Sequence, residues 1–273
     1  MQGLEDKALL RELRKKLEKS LRSAIMCLLY LYQNMSMRGQ LYAPLWIARE
    51  SRTACSKSSE LISFPASVLS WMAKCPLARN IMLSSKGSLS YTTPLTVGGL
   101  KRKHYEFLKS VDEALKNILA PGVVSMSIVK GFKLEPVEEL CVYVNKGDRC
   151  YRVCGKPDLM YILYGEKLGR PLALVIEVTL SPVVKHLIRG EMLFYSIASY
   201  LSYGCDIVGL VVSRKHFNLV LFKEKALKSF EKLFKGPLEY EEAIKVAEDK
   251  RSKHPWMCSL CDLKHMCPLG VEA

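Results

Sequence analysis

The stretch Gly155–Tyr195, GKPDLMYILYGEKLGRPLALVIEVTLSPVVKHLIRGEMLFY, constrains the chain most. Two short apolar runs of strand length, 158–164 and 172–179, each carry one acid: Asp158 opens the first and Glu177 lies near the end of the second. A carboxylate inside an apolar strand costs several kcal/mol if it is buried without a partner. Two remedies stand open. Glu177 can pair with a nearby Lys or Arg, or Asp158 and Glu177 can share a hard divalent cation through their oxygens. Residues 183–203 return to helical spacing and carry Lys185, Glu191 and Tyr195.

The rest of the chain supplies helices and further strands. Residues 4–33 place Leu9, Leu10, Leu13, Leu17, Leu21 and Ile25 at intervals of three and four, with Lys and Arg between them. That spacing gives a long amphipathic helix whose apolar face docks on the core and whose basic face meets water. Residues 34–63 read as irregular or weakly helical, and Ser63–Ser67 as the start of a short helix through Trp71. A helical piece follows Cys75-Pro76. Residues 84–96 have loop composition and suit a mobile flap, and 97–119 turn helical again until Pro121-Gly122. Runs at 138–144, 149–154, 158–164, 172–179, 206–213 and 217–222 have strand character, and 224–234 and 239–251 are helical. Helices, a strand meander, a crossover helix and more strands make an α/β core.

The chain has 273 residues and a net charge of +14, which favours a polyanionic partner over a neutral one. The apolar run 24–32 is too short to span a bilayer, and the N-terminus lacks the layout of a signal peptide, so the expected location is cytoplasmic, with no membrane partner.

Ten cysteines are present, and Cys258, Cys261 and Cys267 cluster at the C-terminus as C-x2-C-x5-C. In a reducing compartment such clustering points to a metal or cluster site. A fourth ligand is needed. His265 is local and would complete a zinc site; Cys75, which precedes a proline as Cys267 does, and Cys55 are the alternatives. Cys27, Cys141, Cys150, Cys154 and Cys205 lie in apolar runs and read as small buried hydrophobes.

In order along residues 63–269, Cys75-Pro76, Gly98-Gly99 before His104, Gly155–Asp158, Glu177, Glu191–Tyr195 and the terminal cysteines form a series. The series resembles the RecB-like branch of the PD-(D/E)xK nuclease superfamily, and more narrowly its Fe–S members, such as the CRISPR-associated adaptation exonuclease. The resemblance implies a restriction-endonuclease-like central mixed sheet flanked by helices, with a cluster joining an N-terminal helical region to a cysteine-rich tail. It implies an N-terminal extension over 1–62, a helical segment with the first cluster cysteine over 63–96, a nuclease core over 97–235 and a cluster tail over 236–273. It also implies Mg2+ or Mn2+ held by His104, Asp158, Glu177 and the Val178 carbonyl, and a 4Fe–4S cluster on Cys75, Cys258, Cys261 and Cys267. The implied activity is metal-dependent exonuclease action on single-stranded DNA or DNA ends, in CRISPR spacer acquisition or DNA processing beside other adaptation proteins. A catalytically weakened DNA-binding subunit and a zinc-binding interaction protein are the alternatives.

Two positions depart from the family pattern. Its strand lysine is Thr179 here, and its helix glutamine is Glu191. Lys185 is the first choice for a migrated catalytic lysine. Glu191 is expected in solvent rather than at the metal.

Overall fold

The computed structural model describes residues 2–34, 47–48, 55, 60–84, 98–119, 131–134, 139–164, 171–180, 189–213, 217–221, 224–235, 238–255, 258, 261 and 263–270. In chain order the elements are α1 (Gln2–Asn34), β1 (Ile47–Ala48), β2 (Glu60–Pro65), α2 (Val68–Met72), α3 (Pro76–Ser84), α4 (Gly98–Leu119), β3 (Gly131–Leu134), β4 (Leu140–Lys146), β5 (Arg149–Gly155), β6 (Leu159–Tyr164), β7 (Leu172–Thr179), α5 (Arg189–Tyr203), β8 (Asp206–Ser213), β9 (Phe217–Leu221), α6 (Glu224–Leu233) and α7 (Tyr240–Lys253). A 3-10 turn, Lys264–Met266, lies in the tail.

The mixed α/β class holds, but the strands do not make one central sheet. They form a four-stranded sheet in the order β1-β4-β5-β2 and a five-stranded sheet in the order β3-β6-β7-β8-β9. Among the described residues the chain passes between the sheets from β2 to β3, from β3 to β4 and from β5 to β6, the last at Lys156-Pro157. Proline has no N–H to donate to a ladder, so the chain leaves one sheet there and enters the other.

In the five-stranded sheet β6 and β7 are antiparallel, and β7 and β8 are parallel, with α5 as the crossover. Side chains alternate across it, as the period of two requires. Tyr161, Leu163, Leu172, Leu174, Ile176, Val208 and Leu210 pack with Leu21, Ile25, Leu28 and Leu29 of α1 and with Val111, Leu115 and Ile118 of α4. The amphipathic N-terminal helix is therefore docked on the core, as its leucine spacing indicates. Met160, Ile162, Ala173 and Val175 occupy the opposite face and share a second core with α5, α2 and the four-stranded sheet. Because α5 packs against both sheets, Met192–Ser199 are buried on all sides, which is why this helix is apolar around most of its circumference.

Two glycines let α5 approach. A Cβ on Gly155 would lie 2.7 Å from the Ala66 Cβ and 3.2 Å from the rings of Phe194 and Tyr195. A Cβ on Gly190 would lie 2.6 Å from the backbone of Leu69 in α2.

Several local expectations change. Residues 60–65 are a strand pairing in parallel with β5, not the start of a helix. Ile62 and Phe64 alternate inward with period two, and β2 is an edge strand, where Pro65 is tolerated. Cys141 and Cys154 face each other across β4 and β5 and are disulfide-bonded, as are Cys55 and Cys150, so Cys141, Cys150 and Cys154 are not simple buried hydrophobes and Cys55 is not available as the fourth ligand. Cys27 is exposed, whereas Cys205 is buried as expected. The expected flap at 84–96 lies almost wholly outside the described residues. Among those residues, no helix is long and apolar enough to cross a membrane.

Candidate metal centre and cysteine cavity

Asp158 and Glu177 meet because of strand register. Leu159 pairs with Ile176, and continuing that ladder by one residue sets Asp158 opposite Glu177 on the face covered by α5. The Val178 N–H donates to Asp158 Oδ2 at 2.7 Å, which fixes that carboxylate at the end of the sheet. From α4, on the opposite layer, His104 reaches the same spot. Its Nε2 is 2.9 Å from the Val178 carbonyl oxygen and 3.7 Å from Asp158 Oδ2. Groups from three separate stretches of the chain thus meet at one sheet end.

The electrostatics of the pair are unfavourable without a cation. Burial, then the charges of Glu191 and Asp158, push the Glu177 carboxyl well above the usual carboxylate range. Burial also raises Asp158, against the opposing effects of the Val178 N–H and His104. Each of the two carboxyls also shifts the other's titration, while Glu177 Oε1 is sealed from solvent with no hydrogen-bond partner. A divalent cation would relieve both features, because it accepts lone pairs from oxygen and carries the missing positive charge. The donor set, an imidazole, two carboxylates and a carbonyl, suits Mg2+ or Mn2+. The ligand atoms of His104, Asp158 and Glu177 do not all lie within 4.8 Å of one another. The His104–Val178 hydrogen bond engages atoms that an ion would bind.

Glu191 is not directed into solvent. Its charge acts on Glu177, and its Oε1 lies 3.2 Å from the Tyr195 hydroxyl, which is also 2.9 Å from the Lys156 carbonyl oxygen. Buried against three carboxylates, Tyr195 is held as the neutral phenol, a hydrogen-bond donor. Ser70 of α2 accepts the Glu191 N–H at 3.3 Å, occupying one of the unpaired donors at the start of α5. Glu191 is thus a third carboxylate of the site, one turn before Tyr195 on the same helix face. The i, i+4 spacing was legible in the sequence; the direction of the face was not. Thr179 lies two residues beyond Glu177 on the same face of β7. Lys185 falls outside the described residues.

The cysteines gather elsewhere. Cys75, Cys258, Cys261 and Cys267 line one cavity with Trp71, Leu263 and Lys250. Cys75 sits immediately before Pro76, the first residue of α3, where the fixed φ of proline suits a helix start. The other three cysteines come from the tail beyond α7. None of the four is disulfide-bonded in this structure. Burial raises the Cys258 thiol, and the neighbouring Cys75 and Cys267 raise it further. Burial raises Cys267 too, although backbone hydrogen bonds from Leu269 and Gly270 oppose that. Ionised together, the four would need a positively charged centre between them, although no three of their sulfurs lie within 4.8 Å of one another. Lys250 of α7 donates to the Lys74 carbonyl next to Cys75, tying α7 to the start of α3. Gly270 has no room for a side chain, since a Cβ there would collide with the Lys264 carbonyl. His265 is exposed and lies outside this lining, and Cys55 is bonded to Cys150. Cys75 is therefore the residue that joins the tail cysteines.

No protein-family model and no curated protein matches the chain. Among solved structures, the crystal structure of SSO0001 aligns over 91% of this chain and 98% of its own, at 11% identity and a TM-score of 0.36. The Scheffersomyces stipitis Rai1 structure, in complex with (3'-NADP)+ and calcium ion, aligns over 88% of this chain and 66% of its own, at 12% identity and a TM-score of 0.25.

Proposed function

We propose that this chain is a divalent-metal-dependent DNA nuclease of the RecB-like Fe–S type, acting on single-stranded DNA or DNA ends in CRISPR spacer acquisition or related DNA processing. The observation that carries the reading is the meeting of His104, Asp158 and the Val178 carbonyl at one sheet end, with the buried Glu177, whose Oε1 has no hydrogen-bond partner, opposite Asp158. A bound cation would neutralise charge on a scissile phosphate and lower the pKa of a water nucleophile. Asp158 is oriented by the Val178 N–H, and His104 is aimed by its place on α4. Tyr195 holds Glu191 toward Glu177 and keeps its own proton. The excess of Lys and Arg in the chain suits a phosphate backbone. The four cysteines would hold a 4Fe–4S cluster whose part is to fasten the tail to α3.

Thr179 supports a second reading, a DNA-binding subunit of an adaptation complex whose own cleavage is weak. Threonine carries no positive charge to stabilise the departing phosphate. The two readings separate in one assay on labelled single-stranded DNA, comparing the wild-type chain with Thr179→Lys in Mn2+. A nuclease cuts in both forms. A weakened subunit binds in both and cuts, if at all, only after the lysine is restored.

A further inference from the structure

His104 looks into the carboxylate site from α4, and the next residue on that helix, Tyr105, looks out. Tyr105 is 67% exposed, so its ring contributes little to the core. Arg102, Tyr105 and Lys109 stand at i, i+3 and i+7, which places them along one face of the helix, and all three are exposed. Lys103 is exposed beside them. Glu106 occupies the neighbouring stripe and pairs with Arg102 at 2.9 Å. An exposed pair of this kind is worth little, so a phosphate can compete for the guanidinium. Scattered exposed tyrosines are ordinary on a protein surface. Tyr30, Tyr164, Tyr203 and Tyr240 are also exposed, but none is adjacent in sequence to a residue of the carboxylate site.

An aromatic ring between two cations at helical spacing is a platform for one base with a phosphate on each side. Only an unpaired base offers a free face, since in a duplex both faces are stacked. We propose that Tyr105 stacks a nucleobase of single-stranded DNA beside the scissile phosphate, with Arg102 and Lys109 holding the flanking phosphates. The stacked base fixes the register of the strand relative to His104. This rests on the nuclease reading for its direction, while the contact itself is measurable without cleavage.

The test uses the full-length protein in EDTA and a short fluorescein-labelled thymidine oligonucleotide, read by anisotropy. A companion series carries one abasic position, moved along the strand. Tyr105→Ala is expected to weaken binding about five- to hundredfold, and Tyr105→Phe to bind as the wild type does. One abasic position should weaken the wild type by a similar factor and cost Tyr105→Ala nothing more. Unchanged affinity in Tyr105→Ala overturns the proposal. So does a loss that no abasic position reproduces, because the contact is then not with a base. Adding Mn2+ to the same samples separates this from the nuclease reading. Base-dependent binding without any cleavage retires that reading and leaves the stacking contact. Cleavage that ignores Tyr105 does the reverse.

Discussion

Glu177 carries the largest electrostatic cost in the candidate centre. Its folded pKa lies above its unfolded value, so the folded chain holds more protons than the unfolded one once pH exceeds the ordinary carboxylate range. Stability without metal should therefore fall as pH rises from that range upward, and Asp158, also raised, adds to the trend. Mn2+ binds the ionised form and should reverse it. Thermal melts over pH, with and without Mn2+, check both signs. Glu177→Gln imitates the protonated acid. It should melt a few degrees higher than the wild type in EDTA at neutral pH, yet show no stabilisation by Mn2+. A variant that melts lower in EDTA would mean that Glu177 serves packing or pairing instead. Reading residues in order exposed Asp158 and Glu177, because an acid in an apolar strand is conspicuous, whereas His104 came only with the family resemblance. It misjudged Glu191, since helical spacing fixes a shared face with Tyr195 but not the direction of that face. It also missed the pairing of Cys141 with Cys154, which depends on β4–β5 register.

At the level of elements, the site depends on how closely α5 lies against α2. Gly190→Ala should push the two apart, costing about 1–3 kcal/mol as overpacking does, and displace Glu191 from Ser70. Urea melts together with Mn2+ affinity test this; a loss of stability with unaltered affinity would show that Glu191 plays no part in the metal site. Beyond Trp71 of the same α2, α3 and α7 meet the tail at the cysteine cavity. Cys75→Ser should abolish the brown colour of anaerobically purified protein and expose the tail to proteolysis. A colourless wild type holding one zinc would assign these thiols to zinc instead. Element types were legible from periodicity for α1, α4 and β4 to β9. The strand at 60–65 was misread because its proline suggested a helix start, whereas edge position in a sheet tolerates it.

For the whole molecule, the proposed function requires a basic surface for a strand, a metal site at one sheet end and a cysteine fastening between α3 and the tail. DNA affinity should drop steeply with salt as counterions are released on binding. The split into two sheets was not visible in the sequence. Most of the strands are evident, but which of them pair depends on contacts between residues far apart in the chain, such as the parallel pairing of β2 with β5. The most direct measurement is the rate of single-stranded DNA cleavage against Mn2+ concentration, for the wild-type chain and Asp158→Ala. The account predicts saturable cleavage in the wild type that vanishes in EDTA and in the variant. Cleavage that persists without a divalent cation, equal cleavage in Asp158→Ala, or none in the wild type at any Mn2+ concentration would contradict it.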